Sequence, residues 1–85
     1  MEIIDKIIKQ ISALRYSGSS AFLADALASA CNSKYKVSML DASVKLDKDS
    51  KALLIELMHI AQQPDFSNAD QDKALDWLRD NKFID

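Results

Sequence analysis

The stretch Leu53-Leu54-Ile55-Glu56-Leu57-Met58-His59-Ile60-Ala61 constrains this chain more than any other. A helix that is apolar on nearly all sides cannot stand in water, so the run predicts a central packing element covered by the rest of the chain. One Gly and one Pro in 85 residues leave little room for tight hairpin turns or glycine-rich phosphate loops. The composition therefore favours helices joined by short connections.

Residues 2–16 place Ile4, Ile7, Ile8, Ile11 and Leu14 on one stripe, with Lys6, Lys9 and Gln10 opposite, the pattern of an amphipathic helix. Ser17-Gly18-Ser19-Ser20 interrupts it and caps a second helix over 19–32. The apolar face of that helix is Phe22, Leu23, Ala26, Leu27 and Ala30, and its alanines allow close helix approach. Asn32-Ser33 supplies a stop. Lys34-Tyr35-Lys36-Val37 alternates polar and apolar residues, but four residues without a partner strand make a connector and not a sheet.

Ser38, with Asp41 three residues on, reads as a capping box for a short helix over 39–45. Asp47 caps the helix over 48–62, Asp49 suits its positive end, and Pro64 stops it. Ser67 or Asn68, with Asp70 or Gln71 three on, opens a last helix over 68–81. Phe66 is placed to staple that helix, and Leu75, Trp77 and Leu78 form its apolar side. The tail from Lys82 to Asp85 docks through Phe83 and Ile84. The expectation is one all-α domain over 1–85, a bundle of about five helices with 48–62 at its centre.

Net charge is −2, unevenly spread. Residues 1–40 carry a balance of +2 and residues 41–85 a balance of −4. An acidic C-terminal half argues against nucleic acid, whose binding is dominated by Lys and Arg on phosphates. The reading of the second and third helices as a helix-turn-helix DNA binder meets a further obstacle. Its recognition segment, Met39-Leu40-Asp41-Ala42-Ser43-Val44, has no Arg, Asn or Gln to read base edges. No apolar stretch is long enough for a membrane span, and no signal peptide is visible at the N-terminus. One cysteine allows no internal disulfide, so a cytoplasmic protein is expected.

Chemistry-bearing constellations are scarce. Cys31 and His59 are single residues of their type, short of a nucleophile–base–orienter set and of a zinc ligand set. A calcium loop from Asp47 would need Gly and Glu where Ala52 and Met58 stand, and one from Asp65 fails at the same positions. Ser17 to Ser20 reads as a cap before an anion site. The expectation is a non-enzyme with no cofactor and no metal.

The remaining candidate is a surface. Asp72, Asp76 and Asp80 recur at i, i+4 and i+8, and with Asp70 they form an acidic face on the last helix. Trp77 and Phe83 are its aromatic anchors. A solvated helix face is the plain alternative to a docking face for a basic protein. The Ile stripe of the first helix reads as intramolecular core, so a monomer is favoured, with a homodimer through helix 2–16 as the alternative.

Two resemblances bear on function. The stretch from Leu23 to Met58, with Tyr35-Lys36-Val37-Ser38-Met39-Leu40, then Lys45-Leu46-Asp47 and a Leu-rich helix, resembles small helical proteins from phage, plasmid and genomic-island neighbourhoods. That resemblance implies a mobile-element accessory protein that binds and modulates a host protein. Asp49-Ser50 opening a helix, with Ala74-Leu75-Asp76-Trp77-Leu78 later, resembles acyl and peptidyl carrier proteins, which would make Ser50 the site of a phosphopantetheine arm. The residues around the Asp-Ser pair, Asp47, Lys48 and Lys51, depart from that family's pattern. The leading expectation is a protein-interaction module that uses its acidic C-terminal helix.

Overall fold

The computed structural model describes residues 2–14, 17–60 and 66–84. Among them the chain forms five helices and no strand: α1 (Glu2–Leu14), α2 (Gly18–Cys31), α3 (Met39–Lys45), α4 (Lys48–Met58) and α5 (Asn68–Asp80). The all-α bundle read from the sequence is the fold. The expected helix ends at 15–16 and 61–62, and the stop at Pro64, lie outside the described residues.

Local chemistry starts each of the last four helices. Asp47 Oδ1 accepts from the Ser50 backbone N–H at 2.8 Å, Ser38 Oγ from Asp41 N–H at 3.3 Å, and Ser67 Oγ from Asp70 N–H at 3.2 Å. Each satisfies a donor that the first turn leaves without a helical partner. The cap of α2 is Ser17, whose Oγ accepts from Ser20 N–H at 3.2 Å, so this helix begins at Gly18, one residue before its expected start. At the C-terminus of α5 the Phe83 N–H reaches Leu78 C=O at 2.9 Å and the Lys82 N–H reaches Arg79 C=O at 3.0 Å. That pair of bonds is a Schellman motif, with Lys82 at φ 67° where glycine is usual. It turns Phe83 and Ile84 back onto the core, as expected for the tail.

The centre of the bundle is α2, not the helix starting at residue 48. Ser20, Phe22, Leu23, Ala24, Ala26, Leu27, Ala28 and Cys31 are buried, a set that runs around nearly the whole of α2. This helix packs against α1, α3, α4 and α5 alike. Its alanines let backbones approach closely, and Asp25 is its sole charged residue. By contrast α4 buries Ser50 and Leu57 and leaves Ile55 and Met58 exposed. Its apolar run is split between two faces. Residues 50, 53, 54, 57 and 60 turn inward at helical spacing, while 51, 55 and 58 turn out.

The Ile stripe of α1 is part of the core, with Ile3, Ile4, Ile7 and Ile11 buried, so that face offers no seam for a second chain. Gln10 Nε2 donates to Ser50 Oγ at 3.3 Å and Lys6 meets the exposed Glu56 at 3.2 Å, which ties α1 to α4. The Cα radius of gyration, 11.6 Å, matches the ~12 Å of a well-packed chain of this length.

Candidate functional site

Both α3 and α4 pack on α2 but touch one another only marginally. The wedge between them is a groove. Its inner section, about 300 Å³, is lined by Ala26 and Ala30 of α2, Val37 and Met39, and Leu57 and Met58 of α4. Its outer section, about 240 Å³, shares Met39, Leu54 and Met58 and continues to Ser43, Lys51 and Ile55. The rim is exposed apolar surface: Met39 is 66% accessible, Ile55 60% and Met58 65%. Leu40 at 71% and Val44 at 74% are also exposed on α3, outside the groove lining. The three rim side chains expose on the order of 400 Å², an area in the range of the largest apolar patch on an ordinary monomer.

Helix geometry explains why this surface cannot fold inward. In α3, Ala42 and the cap residue Leu46 face α2, so residues 40 and 44 are carried to the opposite flank at 100° per residue. In α4 the inward stripe fixes the rotation, and 51, 55 and 58 follow outward. The hydroxyl of Ser19 donates to Lys45 C=O at 2.6 Å, pinning the end of α3 to α2.

The groove is also electrostatically one-sided. Among the described residues that line it, Lys51 is the only charged group, and no Asp or Glu is present. Several carboxylates on and beside these helices have partners of their own: Asp41 meets Lys45 at 4.0 Å, Glu56 meets Lys6, and Asp47 accepts from the Ser50 backbone N–H. Lys51 makes no ion pair among the described residues, and Lys48 stands exposed one turn before it.

The residues expected at the acidic face are arranged differently from their sequence pattern. Asp70, Asp76, Trp77 and Asp80 do gather, in a second groove of about 320 Å³ between α1 and α5, and Asp5, Ile4, Ile8 and Lys73 join them. Asp72 is exposed outside it. Asp76 pairs with Arg79 at 3.1 Å, and Asp70 accepts from the Ser67 hydroxyl at 2.8 Å, which holds its carboxyl below the usual range. Trp77 is half-buried and stacks on Phe83, centroids 6.0 Å apart, so both aromatics serve the packing of α5. Much of this face is occupied by its own contacts.

Ser50 is fully buried and accepts the hydrogen bond from Gln10, which closes its hydroxyl to an enzyme that would attach a prosthetic arm. Cys31 is buried at the end of α2, and burial pushes its thiol up to about 11, the reverse of an activated nucleophile. His59 caps α4 on the surface. No cluster of metal-ligating side chains occurs among the described residues, and no described helix is long and apolar enough to cross a membrane.

No protein family, characterised protein or solved structure was found to match the chain. The groove itself was missed by sequence reasoning, although the signal was present. Leu40, Val44, Ile55 and Met58 are apolar residues that fall off the inward stripe of their helices.

Proposed function

We propose that this protein is a non-enzymatic interaction module whose docking face is the apolar groove between α3 and α4. One observation carries the reading: three large apolar side chains, Met39, Ile55 and Met58, are exposed along a preformed groove, and Leu40 and Val44 stand exposed elsewhere on α3, while the other apolar stripes among the described residues are buried or partly buried. Leaving that surface in water forgoes hydrophobic stabilisation, and groups of this kind are the anchors of protein interfaces. The phage, plasmid or genomic-island resemblance fits such a role, a small accessory protein that binds and modulates a host protein.

A second reading keeps the acidic helix. The gathering of Asp5, Asp76 and Asp80 beside Trp77 supports a basic partner on the α1–α5 side.

Capture from cell extract separates the two when made with matched variants. Under the first reading, Met58→Glu abolishes retention of the specific partner and an Asp76→Lys/Asp80→Lys variant keeps it. Loss with the charge-reversed variant alone moves the docking face to α5. Retention by both variants refutes both assignments.

A further inference from the structure

We propose that the occupant of the α3–α4 groove is an amphipathic helix of a partner protein, carrying an Asp or Glu at the end of its apolar face that meets Lys51. This rests on the docking face assigned above and adds the chemistry of its partner. From Lys51 to Met58 the groove wall is two turns of α4 long, the span that a docked helix reads with apolar anchors at i, i+3 or i+4, and i+7. Met39 and Met58 flank the shared middle of the groove, and methionine adapts its shape to such anchors.

Charge selects among possible occupants. The protein is acidic overall, yet Lys51 is the one charged group among the described residues that line this groove. A second copy docked face to face would bring another unpaired Lys51 and no counter-ion, and burying a charge without a partner is costly. A carboxylate on the incoming helix removes that penalty and fixes its direction in the groove.

The test uses the whole chain as bait for a library of random 16-residue peptides displayed on phage, with parallel selection on Met58→Glu. Because Met58 is exposed, this variant should keep the fold, and its circular dichroism and melting curve check that. The expected result is a set of peptides that bind wild type and lose at least tenfold on Met58→Glu. They should share helical apolar spacing with a flanking acidic residue, and weaken about tenfold on Lys51→Glu. Peptides that depend on Met58 but show strand-like alternation, or no acidic preference and no response to Lys51→Glu, overturn the helix proposal while the docking face stands. A dimer in light scattering that Met58→Glu dissolves names a second copy as the occupant and also overturns the proposal. Co-sedimentation with anionic phosphatidylserine vesicles that Met58→Glu abolishes, without selected peptides, overturns both the proposal and the protein-interaction reading on which it rests. So does the absence of peptide, dimer and vesicle binding.

Discussion

Replacing Leu27 and Ile55 by alanine, one at a time, decides which helix is the hub. Leu27 on α2 is fully buried, so Leu27→Ala removes a whole side chain from the core and leaves a cavity among four neighbouring helices. The expected cost is about 3–5 kcal/mol, a large share of the ~4–13 kcal/mol total for a chain of this size. Ile55 lies in the middle of the most apolar run of the sequence but is 60% exposed. Complete burial of such a side chain is worth ~1.5–3 kcal/mol, so the part removed from water accounts for about 1 kcal/mol. Alanine returns a few tenths of a kcal/mol as the better helix former. The net cost of Ile55→Ala is therefore about 0.5 kcal/mol.

Urea denaturation followed by circular dichroism measures both differences directly. In melting experiments Ile55→Ala should lie roughly 2–4 °C below wild type and Leu27→Ala about 12 °C or more below it. If Ile55→Ala costs 2 kcal/mol or more, α4 is buried as its composition suggests and the outward stripe is misassigned. A cost below 1 kcal/mol for Leu27→Ala would refute the central place of α2. Met58→Ala gives an internal repeat of the Ile55 measurement, because that residue is equally exposed.

Lys82 holds a left-handed conformation that a side chain disfavours by ~1–2 kcal/mol, so Lys82→Gly should stabilise the protein by about 0.5–1 kcal/mol in urea denaturation, and a loss of stability would show that the Schellman turn is not formed. Asp47 and Asp70 are held below the ordinary carboxylate value of 3.8, Asp47 by the Ser50 backbone N–H and Asp70 by the Ser67 hydroxyl. Their contribution is complete above the unfolded value and is lost as pH falls through the lower folded value, so an Asp47→Asn/Asp70→Asn variant should lose less stability than wild type below about pH 4. Asp25 acts in the opposite direction, since burial raises its folded value and its protonation relieves a penalty; Asp25→Asn should gain stability at pH 7 and lose that advantage on acidification. Cys31, buried and with its thiol pushed up to about 11, should react with iodoacetamide at pH 8 far more slowly than in the urea-unfolded chain, and equal rates would contradict its burial.

What could be read from the sequence was what depends on near neighbours. A cap is settled by a side chain and the backbone two or three residues on, so Ser38, Asp47 and Ser67 announce α3, α4 and α5 within one turn. Burial of a helix is settled by what surrounds it, and there apolar density misled. The run at 53–61 is dense because α4 has an outward stripe in addition to its inward one. Charge density was the better guide: Asp25 is the one charged residue in α2, whereas α4 carries Lys48, Asp49, Lys51 and Glu56. The acidic repeat on α5 was legible as spacing, but its pairing with Arg79 and Ser67 and the Trp77–Phe83 stack needed the three-dimensional arrangement.

The misplaced hub and the candidate site have one cause. If every apolar residue of α3 and α4 were to be buried, α4 would need a neighbour beyond α1 and α2, and α3 one beyond α2, and no described helix packs in either place. Rotating α4 to cover Ile55 and Met58 would bring Leu57 and Ser50 out of the core and break the Gln10–Ser50 and Lys6–Glu56 links. The exposed stripe is therefore not a packing fault that a small adjustment could relieve. Turning it polar would leave the core contacts untouched, and polar residues at 40, 44, 55 and 58 would suit solvent better. Physical stability supplies no reason for apolar side chains there, and docking of another surface does.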